Sequence, residues 1–167
     1  MLGAARAALG EGDVGVREIR DGLAAYRATG ARFQRPYHLT LLADALRAQG
    51  LVEEGLAALS DAIDLVEETG ERFFEAEIHR LRAGLLLLGD GARDEVEVLY
   101  RRALDIARTQ QAKSLELRAA RDLARLWADA GERQRACDLL FPVYSWFAEG
   151  FDRPDLVESK ALLDALR

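Results

Sequence analysis

Apolar residues recur every three or four positions along nearly the whole chain, with charged residues between them. This is the period of a helix that buries one face. Ala, Leu, Arg and Glu are frequent and β-branched clusters are few, a composition that also favours helix. The pattern predicts helices near 2–9, 13–28, 34–48, 52–68, 72–88, 93–109, 113–129 and 133–148. We therefore expect an all-α protein.

Four glycines separate these helices at a regular interval. Gly10, Gly50, Gly91 and Gly131 are 40, 41 and 40 residues apart, which indicates an internal repeat. Small or short residues recur in two columns on either side of the glycines, at Gly3, Ala43, Gly84 and Ala124 and at Gly15, Gly55, Val96 and Ala136. Small side chains at a helix crossing let two axes approach closely, and helix pairs that stack bury a continuous core.

The order of large and small residues around each turn glycine resembles the tetratricopeptide repeat, with a period longer than the usual ~34 residues. The resemblance implies a tetratricopeptide-like right-handed superhelical solenoid of antiparallel helix pairs. We expect repeats over 1–151, as about three and a half pairs with the first one truncated, and a C-terminal capping helix over 152–167. Pro142 lies inside a predicted helix and predicts a kink or a broken turn there. Asp152 offers a capping oxygen for the last helix, which Pro154 would begin.

A more specific resemblance rests on five short stretches of the sequence. They are Glu71-Arg72-Phe73, 77–82, 101–107, Pro142-Val143-Tyr144 and 146–152. The chain resembles the C-terminal tetratricopeptide region of large bacterial signalling proteins. In those proteins a class III adenylate/guanylate cyclase domain or a helix-turn-helix regulator precedes an AAA-type ATPase domain and the repeats. The resemblance implies a sensor or scaffold role. No phosphate-binding loop and no cyclase-like βαβ segment occurs in this sequence, so no catalytic residue is carried over.

Composition and charge narrow the possible partners. The chain has 167 residues and a net charge of −6, whereas a general nucleic-acid binder needs a basic surface. Its longest apolar run, Leu85 to Leu88, is far shorter than the ~20 residues of a membrane span. The single cysteine, Cys137, excludes an internal disulfide. We expect a cytoplasmic protein that binds neither nucleic acid nor membrane.

The sequence offers little for catalysis. Neither of its two histidines, His38 and His79, has a partner at i+3 or i+4 that would form a helical metal pair. Cys137 has no neighbouring histidine and is interpreted as a small buried thiol. We therefore expect no metal, no cofactor and no enzymatic activity.

Candidate binding residues lie on one side of the first helix of each pair, which faces the groove in arrays of this type. Arg118, Arg121 and Arg125 are spaced i, i+3 and i+7 and share one stripe. Comparable positions on the preceding helices are Tyr37, Thr40, Asp44 and Arg47 and, one helix pair later, Glu77 and Arg80. Such a groove could hold a carboxylate or phosphate through forked hydrogen bonds. The alternative is an exposed face that neighbouring Asp and Glu balance.

These features favour a protein-interaction or scaffold module that binds a peptide or partner domain in its concave groove, with an acidic partner as one option. The alternative is a sensor of a small anionic effector, with a pocket lined by Tyr37, Trp127 or arginine. We also expect a homodimer through the N-terminal edge. There, the truncated first helix would leave Leu23 and Tyr26 without their usual cover.

Overall fold

The computed structural model describes residues 2–8, 10 and 12–167, and nine helices form in that part of the chain. They are α1 Leu2–Ala8, α2 Gly12–Ala28, α3 Arg35–Ala48, α4 Val52–Thr69, α5 Glu75–Leu88, α6 Arg93–Thr109, α7 Lys113–Asp129, α8 Arg133–Tyr144 and α9 Pro154–Leu166. Residue 9, the predicted end of the first helix, lies outside the described residues. None of the described helices is long and apolar enough to span a bilayer.

The helices form two layers. Each helix packs against the next one in the chain, and each odd-numbered helix also lies against the next odd-numbered helix, from α1 through α9. The described even-numbered helices do not approach one another in this way. Because successive helices are closer together in the odd-numbered layer, the stack curves toward that layer. The odd-numbered helices therefore line the concave side, and we call them the inner layer.

The alignment of the repeats differs by one residue from the sequence-based one in α5. The turn between α5 and α6 spans residues 89–92, one residue longer than the equivalent turns at 49–51 and 130–132. Counted along the helices, Ala83 and not Gly84 matches Ala43 and Ala124, and all three alanines are fully enclosed in the core. Placing Gly84 in the same column of small residues as Ala43 and Ala124 was therefore wrong. Gly84 belongs to a row on the inner face.

Two helix boundaries also differ from the prediction. α5 begins at Glu75 rather than near 72, because Phe73 and Phe74 lie in the preceding turn. α8 ends at Tyr144 rather than near 148, two residues after Pro142. Pro142 has no N–H to donate to the Asp138 carbonyl, which weakens the helix at this point, and the helix ends with the bond from Ser145 N–H to the Phe141 carbonyl.

The last helix covers the end of the stack. α9 begins at Pro154, and it packs Leu156, Leu163 and Leu166 into the core formed with α7 and α8. Its N-cap residue is Arg153, and no side chain caps the helix. The expected capping oxygen is therefore not used. α9 stands where the inner helix of a further repeat would stand.

Candidate binding face of the inner layer

All the predicted binding residues lie on the inner layer. Tyr37, Asp44 and Arg47 are on α3, Arg80 is on α5, and Arg118, Arg121 and Arg125 are on α7. Their environments differ sharply, since Arg80 and Arg121 are almost completely buried whereas Asp44 and Arg125 are exposed. The stripe of three arginines is thus not a uniform cationic surface.

Buried ion pairs hold most of these arginines. Arg80 donates two hydrogen bonds to the Glu77 carboxylate, through Nε and Nη2, each 2.8 Å long. Its Nη1 donates to Asp122 Oδ2 at 2.5 Å, which links α5 to α7. Asp122 Oδ1 accepts from Arg121 Nε at 3.0 Å. These four side chains are between 8 and 13 % exposed, so water screens the pairs weakly.

The pairs continue through α9 and close into a ring. Arg121 Nη1 donates to Asp155 Oδ1 at 3.2 Å, and Asp155 Oδ2 accepts from Arg118 Nε at 2.7 Å. Arg118 Nη1 then donates to Glu77 Oε1 at 3.2 Å. We call this set the inner ionic ring: Glu77, Arg80, Asp122, Arg121, Asp155 and Arg118. It alternates three guanidinium groups with three carboxylates and joins α5, α7 and α9.

The ring shifts the pKa values of Glu77, Asp122 and Arg80. Burial alone would raise the pKa of Glu77 and of Asp122, but the facing arginines outweigh burial and hold both pKa values below the ordinary range. Burial acts in the opposite direction on Arg80, and the Glu77 and Asp122 carboxylates raise its pKa well above the usual value. Glu77 and Asp122 are therefore charged at neutral pH, and together with Asp155 they form ion pairs with three of the arginines predicted to bind an anion.

The α3 end of the inner face is more open. Arg47 donates from Nε and Nη2 to Asp44 Oδ1, at 3.1 and 2.8 Å, and both side chains are more than a third exposed. Tyr37 packs its ring against Phe74, with ring centroids 4.5 Å apart. No ion pair joins α3 to α5 across this face within the described residues.

A notch lies between these two regions, at Gly84. The row across the inner face is Asp44 on α3, Gly84 on α5 and Arg125 on α7. A Cβ at Gly84 would lie 3.4 Å from Cδ of Arg47 and 3.6 Å from the hydroxyl of Tyr100. Tyr100 belongs to α6 in the outer layer, so its side chain crosses the core and brings its hydroxyl to the inner face. Arg125 makes no ion pair with a described carboxylate.

Trp127 does not line this face. It is 5 % exposed, and the guanidinium carbon atoms of Arg135 and Arg101 lie 3.8 and 5.2 Å from the centre of its ring. Those arginines belong to α8 and α6, so Trp127 points toward the outer layer. Of the side chains that the sensor hypothesis offered as pocket lining, Tyr37, Trp127 or arginine, Trp127 is therefore not available on this face.

His79 and Cys137, two other candidate groups, take no part in the inner ionic ring. His79 is half-buried, and burial, the largest influence, lowers its pKa. Cys137 is a half-buried free thiol packed against the core. Among the described residues no three His, Cys, Asp or Glu side chains come together as metal ligands.

Sequence reasoning missed four residues of this face. Asp122 and Asp155 belong to the ring, and Gly84 and Tyr100 form the notch. The i, i+4 spacing of Arg118 and Asp122 suggests an ordinary helical pair, whereas each side chain in fact reaches a different helix. Nothing in the local sequence around Tyr100 shows that its hydroxyl crosses to the inner layer.

Comparisons with known proteins identify the fold. No family model matches the chain. A stretch of 112 residues, 67 % of the chain, is 33 % identical to an uncharacterized protein of Rhizobium meliloti (strain 1021) and spans only 11 % of that protein. A crystal structure of kinesin light chain TPR-like repeats from Podospora anserina covers 99 % of this chain at 20 % identity, with a TM-score of 0.68.

A variant of the same fungal protein gives a TM-score of 0.69, also at 20 % identity and 99 % coverage. The chain covers 82 and 81 % of these two structures, so the likeness extends over nearly the whole solenoid. Identity at this level carries information on the fold alone. The fold predicted from the repeat is confirmed: the chain is a tetratricopeptide-like solenoid of antiparallel helix pairs.

Proposed function

We propose that this chain is a non-catalytic interaction or scaffold module that binds a peptide or a partner domain on its inner layer. The observation that carries the proposal is that side chains from α3, α5, α7 and α9 meet on one continuous concave face. Helical solenoids use such extended faces for binding. The face presents an aromatic side chain at Tyr37, a free cation at Arg125 and a rigid ionic surface between α5 and α9.

We further propose that the module works inside a large bacterial signalling protein. The stretch matched in the Rhizobium meliloti protein is about a ninth of that protein's length, so related repeats occur within a much longer chain. This agrees with the sequence resemblance to repeats that follow cyclase, helix-turn-helix and AAA-type ATPase domains. In that setting the inner layer would bind another domain or a partner of the signalling protein.

The alternative of an anionic-effector sensor has less support. A sensor needs a deep pocket with converging free polar groups. Arg80, Arg118 and Arg121 instead donate hydrogen bonds to carboxylates of the protein itself. A depression lined by residues of α2, such as Asp13 and Arg17, and by Gln49 and Leu51 contains none of the predicted binding residues.

Peptide selection followed by NMR mapping tests the interaction function. Peptides selected from a random library against the purified protein should bind saturably and shift amide resonances of α3, α5 and α7. Substitution of Tyr37 by alanine should weaken such peptides, whereas Val98→Ala, at an exposed position of outer helix α6, serves as the control. Failure to select any saturable binder, or shifts confined to α2, α4, α6 and α8, refutes the proposal.

A further inference from the structure

The Tyr100 hydroxyl stands out because packing does not require it. The side chain is only 4 % exposed, yet its hydroxyl makes no hydrogen bond with the described residues. The corresponding residues of the neighbouring repeats are Leu59 and Leu140, and both are fully buried. A leucine at position 100 would therefore suffice to fill the core. The phenol adds a polar atom that is directed at the inner face.

Gly84 has no side chain to cover this hydroxyl. The corresponding residues on α3 and α7 are Asp44 and Arg125, whose side chains would cover the place where the Tyr100 hydroxyl emerges. With no side chain at Gly84, a notch remains between α3 and α7, with the phenol oxygen at its floor and the Arg47 stem at its wall. A hydroxyl at the floor of a notch that has no protein partner can donate a hydrogen bond to an acceptor that enters from outside.

The charges around the notch favour an anion. Arg125 is exposed and free of ion pairs with described carboxylates, and Arg47 uses only Nε and Nη2 for Asp44. Burial, followed by the nearby Asp122 carboxylate, raises the pKa of Tyr100 to about 12, against the opposing influence of Arg80, Arg47 and Arg125. The phenol is therefore protonated at neutral pH and can donate a hydrogen bond.

We propose that the notch formed by Gly84, Tyr100 and Arg125 binds a carboxylate of a peptide partner. The Tyr100 hydroxyl donates one hydrogen bond to the carboxylate, Arg125 supplies a forked pair of donors, and Arg47 adds a second positive charge at the wall. This proposal rests on the proposed interaction function and specifies the chemical group of the partner that is recognised.

A carboxylate fits this notch better than a phosphate. Of the two described arginines at the notch, Arg47 is paired with Asp44 and Arg125 has no ion pair, and the carboxylates of Asp44 and Asp122 lie close by. A group with two negative charges would be repelled by both and would find too few donors to compensate. A single negative charge matches the one free arginine and the one phenol.

Fluorescence anisotropy with a labelled tetraglutamate peptide tests the notch, with a tetraglutamine peptide and inorganic phosphate as comparison ligands. Tyr100→Phe removes only the hydroxyl and should weaken tetraglutamate binding about tenfold, as expected for loss of a hydrogen bond to a charged group. Arg125→Ala should weaken it at least as much. The matched controls, Arg102→Ala on the outer surface and Tyr144→Phe on α8, should leave binding unchanged.

Each of four results overturns the proposal: no binding of tetraglutamate, equal binding of tetraglutamine, displacement by phosphate at lower concentration than the peptide, or equal affinities of the wild type and both notch variants. Thermal unfolding of each variant within about 2 °C of the wild type shows that the fold is kept. The library-selected peptides distinguish failure of the notch proposal from failure of the interaction function. If they bind the inner layer but are indifferent to Tyr100→Phe and Arg125→Ala, the interaction function stands and the notch does not.

Discussion

Asp122 is the residue whose replacement should cost the most stability for the smallest change in shape. Asp122→Asn keeps the size of the side chain but replaces one oxygen with an NH₂ group. One oxygen of Asp122 accepts from Arg80 and the other from Arg121, so the amide must turn a donor toward one of the two guanidinium groups. Removing one partner of a buried ion pair costs about 3 to 5 kcal/mol of folding stability. In Asp122→Asn the amide NH₂ faces a guanidinium N–H, so we expect a cost in that range.

That cost corresponds to a fall of about 10 °C in the midpoint of thermal unfolding for a chain of this size. Circular dichroism melts and urea titrations of the wild type and Asp122→Asn measure the fall. Asp105→Asn, at an exposed position of α6, is the matched control and should change stability by less than about 0.5 kcal/mol. A midpoint for Asp122→Asn within 2 °C of the control would show that the inner ionic ring contributes no net stability.

Three further predictions concern acidity, helix packing and assembly. The pKa values of Glu77 and Asp122 in the folded protein lie below their ordinary values of 4.5 and 3.8, so their stabilisation is complete above those values and is lost as pH falls through the lowered ones. Urea titrations from pH 7 to 3 should show that loss, and a flat profile contradicts it. Gly3→Ala would place a Cβ 2.7 Å from a backbone oxygen of α2 and should speed hydrogen exchange in α1, whereas Gly22→Ala, with open space around it, should not. The N-terminal homodimer stays a prediction, and light scattering that finds a monomer at all concentrations, or a dimer unaffected by Leu23→Asp, refutes it.

The helical repeat could be predicted because its signal is local. The apolar period and the turn glycines predict α6 and α7 with the bounds that the structure has. The errors arose where local signals conflict. Asp90 takes the left-handed conformation in the longer α5–α6 turn that glycine takes at Gly10, Gly50 and Gly131, and this shifted the alignment of α5 by one residue.

The inner face was harder to predict because its chemistry depends on distances between repeats. The spacing of Arg118, Arg121 and Arg125 correctly placed them on one side of one helix. Whether they face solvent or carboxylates depends on how closely α5 and α9 stack beside α7, and the partners of Arg118 and Arg121 on those two helices are 34 to 41 residues away in sequence. No periodicity within one helix contains that information.

The ring also has a mechanical consequence for the stack. A helical solenoid bends like a spring, and its stiffness depends on the ties between successive turns. The ring clamps α5, α7 and α9 together on their concave side, whereas α3 and α5 share no ion pair there among the described residues. Bending should therefore concentrate at the junction of α3 and α5, beside the Arg47 stem. The part of the stack from α5 to α9 is held by the ring and stays stiff. A ligand that contacts both α3 and α5 would therefore increase the curvature only at the more flexible junction between these two helices.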